Sequence, residues 1–318
     1  MAKPEAEALT GGQWNLSGVL YQLLTSLKSG LSAVVQEVNA EGDVASVRLV
    51  IEPAKGGDVQ IHQAGLRCVD QIKIRRGVSP WTTNIIIKNV LPDLFKAVGD
   101  GNTPSKFRFF TDNVQGAEHF SRFLESVRAL DAQGKGPQDL DIEESPSRGR
   151  MRSLSHQEIY AKIAGELNAA EPALWKFLAA TEVVGWDEAT VENDIDKILA
   201  ELVAERAEVL VKRRALTQRL LELGAAGKSI SAERLLQDMD LDPSRLVHAQ
   251  KLRSDLYEGV KHALQQLRYD QSMDVRTAPY IPDAPLSVLS GDSGRGKTWR
   301  LCAAALASVE AHKCALLL

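Results

Sequence analysis

The chain has 318 residues, of which 44% are hydrophobic, 25% charged and 5% aromatic; that length leaves room for two or three domains, and the Ala, Leu and Glu content favours helices over a large sheet. A formal net charge of −4 excludes a global basic field for nucleic acid, so any such surface must be local. The three cysteines, Cys68, Cys302 and Cys314, are odd in number and lack metal-ligand spacing, which fits a reducing cytoplasm.

The start, Met1-Ala-Lys-Pro-Glu, lacks the apolar core of a signal peptide. No apolar run approaches the ~18 residues needed to span a membrane, so a soluble cytoplasmic protein with no membrane partner is expected. Residues 14–37 place Leu16, Val19, Leu20, Leu23, Leu24, Leu27, Leu31, Val34 and Val35 close to a 3.6-residue period, which predicts an amphipathic helix. Three β-rich runs follow, Val47 to Glu52, Asp58 to Gln63 and Arg67 to Arg75, separated by Pro53-Ala-Lys-Gly-Gly and by Ala64-Gly65. They predict an antiparallel meander. A helix over 83–98, a strand over 106–111 and a helix over 115–130 complete an αβββαβα order.

Residues 133–156 are rich in Gly, Pro, Ser and charge and read as a linker. Beyond it, 157–278 reads as a helical connector domain. Ile195, Ile198, Leu202, Val209, Leu216, Leu220 and Leu223 nearly follow a heptad, but Glu205 and Lys212 interrupt the seam, so packed amphipathic helices are expected rather than a coiled coil. Gly227-Lys228-Ser229 imitates the end of a phosphate loop, yet Glu222 stands where its first glycine belongs, and the segment reads as a helix end. Trp175, Phe177 and Trp186 read as core of this domain, and the six scattered histidines receive no role.

Two clusters carry chemistry. The first is Glu52, Asp58 and Gln71-Ile72-Lys73. If Ala64-Gly65 is a two-residue turn, Gln63 faces Leu66 and Asp58 falls opposite Gln71, with Lys73 on the same face and cross-strand Cβ atoms roughly 5 Å apart. Asp58, the Gln71 carbonyl and the Ile72 backbone carbonyl suit a Mg²⁺ or Mn²⁺ ion, with Glu52 as a further ligand and Lys73 orienting a water for phosphodiester hydrolysis. Arg67, Lys73, Arg75 and Arg76 against Asp70, four cations less one anion, give a local balance of +3 for a phosphate backbone.

The second cluster is Gly291-Asp-Ser-Gly-Arg-Gly-Lys-Thr298, which fits G-x-x-x-x-G-K-[ST] between an apolar strand and an Ala-rich helix. Gly291, Ser293, Gly294, Arg295, Gly296 and Lys297 would cradle the phosphates of ATP, and the Thr298 hydroxyl would ligate Mg²⁺. With so little chain after it, residues 279–318 read as the truncated start of a P-loop NTPase and the chain as the N-terminal part of a longer protein.

Asp58 with Gln71-x-Lys73 on a hairpin, preceded by a helix and followed by αβ, resembles the PD-(D/E)xK restriction-endonuclease-like nucleases, with Gln in place of Glu. In particular it resembles the branch that serves as effector nuclease in bacterial antiphage systems. Gly18-x-x-Tyr21-Gln22, Trp81 and Phe109-Phe-Thr-Asp also match, and the resemblance covers about residues 11–131. A nuclease-like domain (1–132), a helical connector and a P-loop NTPase in that order resembles the antiviral STAND (Avs-type) defence proteins. The resemblance implies a Mg²⁺-dependent endonuclease acting on double-stranded DNA, clustered into a homo-oligomer when a phage trigger is sensed by a C-terminal region. It names Asp58, Gln71, Lys73 and Glu52 as the catalytic set. Two other readings stay open. One is a nucleotide-switched DNA- or partner-binding adaptor with a catalytically inactive nuclease fold; the other is an NTP-driven restriction enzyme that translocates DNA.

Overall fold

The computed structural model describes residues 11–41, 44–53, 56–75, 80–99, 105–141 and 154–248, with single positions up to 262. The helical period of the first segment produces α1 (Gly11–Glu41). From Tyr21 to Val34 nearly every side chain of α1 is buried, polar Thr25, Ser26, Lys28 and Ser29 included. A helix buried all round has neighbours on both sides, and here they are β2 and β3 below and α7 (Glu188–Leu202) and α8 (Val209–Ala225) above.

The β-rich runs become β1 (Arg48–Ile51), β2 (Val59–Gln63) and β3 (Leu66–Lys73), an antiparallel meander in which Gln63 faces Leu66 across the Ala64-Gly65 turn. The chain then crosses over through α2 (Thr83–Asn89) and α3 (Leu91–Phe95) to β4 (Ser105–Thr111), which lies parallel to β3. A single helix over 83–98 is interrupted at Val90 because Pro92 has no amide hydrogen to continue it and opens a new helix instead. Next comes α4 (Glu118–Ala132). Phe107, Phe109, Phe120, Phe123, Phe177 and Trp81 form the core between the sheet and these helices.

The stretch read as purely helical differs. Besides α5 (His156–Leu167), α6 (Glu171–Ala179), α7, α8 and α9 (Ala232–Asp238) it holds β5 (Thr181–Gly185) and β6 (Ser229–Ser231). These occupy the two edges of one six-stranded sheet, ordered β5-β4-β3-β2-β1-β6. A five-residue and a three-residue strand are too short to show alternation; pairing to edges already built decides their state, not their own propensity. The low aromatic content therefore did not exclude a large sheet.

The sheet crosses the 133–156 linker, and the first compact unit runs from Met1 to Pro243, with Ser244–Leu318 as a second unit. Residues 157–243 are fastened to the first helix rather than standing as a helical domain. Tyr21 Oη donates to the Trp186 carbonyl at 2.6 Å, and Lys28 pairs with Asp194 at 2.8 Å with its ammonium 3.6 Å over the Trp186 ring. Trp175 and Phe177 are core, but Trp186 is only half-buried. The heptad-like run is split at 203–208 into α7 and α8, which pack on each other and on α1. Gly227 (φ +59°) ends α8: its N–H reaches the Gly224 carbonyl and that of Lys228 the Leu223 carbonyl, the Schellman pattern.

Candidate functional site

Consecutive residues of β3 face opposite sides of the sheet, and Asp70 and Gln71 divide two kinds of chemistry between those sides. Asp70 is fully buried and paired in register with Arg108, whose guanidinium grips both carboxylate oxygens at 2.7 Å. Gln71 belongs to the candidate site.

Val59 pairs with Asp70, and the Asp58 N–H also donates to the Asp70 carbonyl, at 2.7 Å. Two residues of one strand thus oppose one of the next, a β-bulge. The expected register holds up to Val59, but the bulge replaces a simple Asp58–Gln71 pair. Gly57 makes it possible: it sits at φ +77°, and a Cβ there would lie 2.7 Å from Val69 Cγ1. The bulge aims the Asp58 carboxylate at β3. Its Oδ2 accepts from Gln71 Nε2 at 2.8 Å and from the Ile72 N–H at 2.6 Å, while Lys73 Nζ stands 3.9 Å from Oδ1.

Three of the four expected residues therefore meet. The fourth, Glu52, has its own N–H on the Asp58 carbonyl at 2.8 Å and a left-handed backbone at φ +50°. Its carboxylate accepts from Gln22 Nε2 at 2.6 Å. Gln22 was not among the expected site residues, although the Gly18-x-x-Tyr21-Gln22 pattern pointed at it. Burial pushes the Asp58 carboxyl up to about 6, with the Glu52 charge adding to the rise and Lys73, the Ile72 N–H and Gln71 opposing it.

The basic surround is smaller than the sequence suggested. Arg67 is buried, donating to the Ala97 carbonyl at 2.6 Å and to Ser105 Oγ at 3.1 Å, and Asp70 is taken by Arg108. A long side chain beside a helix end finds backbone acceptors that strand alternation does not reveal. Lys73 and Arg75 remain, and Arg76 lies outside the described residues, as does the whole phosphate loop of Gly291, Ser293, Gly294, Arg295, Gly296, Lys297 and Thr298. Arg75 lies 4.9 Å over the Trp81 ring, and Trp81 in turn donates to Thr111 Oγ1 at 2.8 Å.

Among the described residues no three His, Cys, Asp or Glu side chains converge as a metal cluster. A hard cation here would rest on Asp58 and neutral oxygens, and one such oxygen is at hand: Gln71 is 1% exposed and its Oε1 is buried without a partner. Orphaned buried acceptors are rare and costly, so the residues fit a divalent ion. Among the described residues no helix is long and apolar enough to cross a membrane.

No family model matches the chain, and no curated protein matches it. Its fold is similar to the Acinetobacter baumannii Cap4 SAVED/CARF-domain containing receptor solved with the cyclic trinucleotide 3'3'3'-cAAA (TM-score 0.40, 11% identity, covering 74% of this chain and 46% of that one). It is also similar to the same receptor with 2'3'3'-cAAA (TM-score 0.41, 12% identity, 83% and 59%) and to the Moraxella osloensis Cap4 receptor (TM-score 0.39, 10% identity, 72% and 49%). The chain spans about half the length of these structures.

They are described as receptors, two of them with a cyclic trinucleotide, and none as a PD-(D/E)xK effector nuclease fused to a STAND NTPase. The membership implied by the sequence resemblance, and the Mg²⁺-dependent DNA endonuclease effector function drawn from it, are corrected on that finding. The physical reason is economy of signal: an Asp and a Gln-x-Lys on a hairpin bring a carboxylate, an amide and an ammonium together, and that geometry does not distinguish binding from hydrolysis. At these TM-scores the likeness carries no argument about what this chain binds.

Proposed function

We propose that the described unit is the binding part of a nucleotide-switched adaptor in antiviral defence. Its site would take a phosphodiester of a nucleotide-type ligand through a divalent cation. The observation that supports this reading is the unpartnered, buried Oε1 of Gln71, on the residue whose Nε2 already holds Asp58. Asp58 and Gln71 would hold Mg²⁺ or Mn²⁺, and Lys73, with 40% of its side chain exposed and only a loose contact to Asp58, keeps its charge available for a phosphate oxygen. When bound, the cation would neutralise the phosphate and fix its position. ATP at the Gly291–Thr298 loop would supply the switch.

The test is Mn²⁺ titration followed by electron paramagnetic resonance, with anisotropy of labelled single- and double-stranded oligodeoxynucleotides, in a Lys297→Ala chain that silences the phosphate loop. Cation binding that disappears in Asp58→Ala, and oligonucleotide binding that requires the cation, are the expected results. Absence of either overturns the proposal. Shortening of the oligonucleotide that Lys73→Ala abolishes would also overturn it, in favour of hydrolysis.

A further inference from the structure

Beyond Lys73 the chain leaves β3 and carries a second cation on the same side two residues on, because alternate positions of an extended segment share a face. This is Arg75. Its backbone N–H is held by Asp112 Oδ1 at 2.9 Å, which fixes where the side chain starts. Its guanidinium is laid against Trp81 at 4.9 Å from the ring centroid. Trp81 is itself immobilised: it is buried, stands edge-on to Phe109 at 5.0 Å and donates to Thr111 Oγ1. Thr111 is the register partner of Lys73 across β3 and β4, so this seat adjoins the Asp58 site directly.

Arg75 Nη1 is shielded from water and has no acceptor. A guanidinium N–H without an acceptor is a charged donor left unsatisfied, which costs more than a neutral one. Two arginines of the sheet show the contrast: Arg67, buried, is satisfied by Ala97 and Ser105, and Arg108, partly buried, by Asp70. Arg75, partly buried just past the end of β3, lacks for its Nη1 the acceptor they have.

We infer that Arg75 is a second phosphate contact, one phosphate along from the one taken at Asp58 and Lys73, and that the ligand is an oligonucleotide rather than a mononucleotide. Lys73 and Arg75 lie about 6–7 Å apart along an extended segment, a span of the same order as the separation of successive phosphates in a nucleic-acid strand. The flat guanidinium seated on Trp81 can donate to two phosphate oxygens at once, which a lysine at this position would not. The inference rests on the proposal that the Asp58 site takes a phosphodiester.

The experiment uses the full chain carrying Lys297→Ala, with Mn²⁺ present, and a nested set of oligodeoxyadenylates from the 5'-mononucleotide to the tetranucleotide. Affinity is expected to rise about tenfold when the second phosphate is added, the size of one charge-assisted contact. In Arg75→Gln that step should vanish while mononucleotide binding stays as in the parent, and the salt dependence should fall by about 0.7 per lost contact. Arg75→Lys should keep the salt slope and lose most of the step. A step that persists in Arg75→Gln overturns the assignment of Arg75 while leaving the Asp58 site standing. If the parent binds no member of the set, the phosphodiester reading fails and this inference with it. Far-ultraviolet dichroism and the thermal unfolding midpoint confirm that each variant is folded.

Discussion

The sheet contains two acid–base pairs whose β3 members, Asp70 and Lys73, lie three residues apart and end in opposite conditions. Asp70 and Arg108 form a closed pair, fully buried at the carboxylate and bidentate at 2.7 Å, with every strong contact made inside the protein. Asp58 and Lys73 form an open one, 3.9 Å apart, beside an amide oxygen with no partner and a lysine that reaches solvent. Sheet alternation sets the two on opposite faces. The first pair consumes its charge in holding α1's face of the sheet; the second leaves its charge for something that arrives. A buried ion pair is therefore no guide to function unless one asks whether its partners are already satisfied.

The largest effect should come from breaking the closed pair. Arg108→Ala strands Asp70 in a site without water, at an expected cost of about 3–5 kcal/mol in urea unfolding, whereas Lys73→Ala should cost under about 1 kcal/mol because Lys73 is exposed and its contact is loose. Equal losses would erase the distinction.

Asp58→Asn should move the other way. The folded carboxyl sits near 6, above the ordinary 3.8, so the folded chain binds more protons than the unfolded one between about pH 4 and 6. Stability then falls as pH rises through that window, and at pH 7 the penalty is fully present. Removing the charge should stabilise the unit by about 3 kcal/mol at pH 7 and by nothing below pH 4. Cation binding to the parent should weaken as pH drops below 6, where protons occupy the same oxygens.

Smaller effects sharpen the geometry. Gly57→Ala places a Cβ against Val69 at φ +77° and should cost about 1–2 kcal/mol while weakening cation binding, because the bulge that aims Asp58 is disturbed. Tyr21→Phe removes the hydrogen bond to the Trp186 carbonyl and should cost about 1 kcal/mol with cation binding unchanged.

Much of this was legible in the sequence. The order from α1 to α4, the turn at Ala64-Gly65 and the helix end at Gly227 follow from periodicity and from glycines that only certain turns require. The meeting of Asp58, Gln71 and Lys73 followed from counting along a hairpin. What the count missed was the bulge, because a residue inserted into one strand leaves alternation intact on both sides of it. The strands β5 and β6 were hidden for another reason: Thr181–Gly185 and Ser229–Ser231 become strands through partners far off in the sequence, β4 for β5 and, much farther, β1 for β6. Arg67 looked like a surface cation and is an internal one, since nothing local shows that the Ala97 carbonyl awaits it. The family resemblance rested on Asp58 with Gln71-x-Lys73, a few short matches at Gly18-x-x-Tyr21-Gln22, Trp81 and Phe109-Phe-Thr-Asp, and a fold order, enough to bring three residues together and too little to assign their chemistry.

The most direct test of the open site measures Mn²⁺ affinity and thermal unfolding on the same samples of the parent and of Asp58→Asn at pH 7, both with Lys297→Ala. An open Asp58 site gives a variant that melts higher and no longer binds the ion. A variant that melts lower, or that binds Mn²⁺ as the parent does, would contradict it.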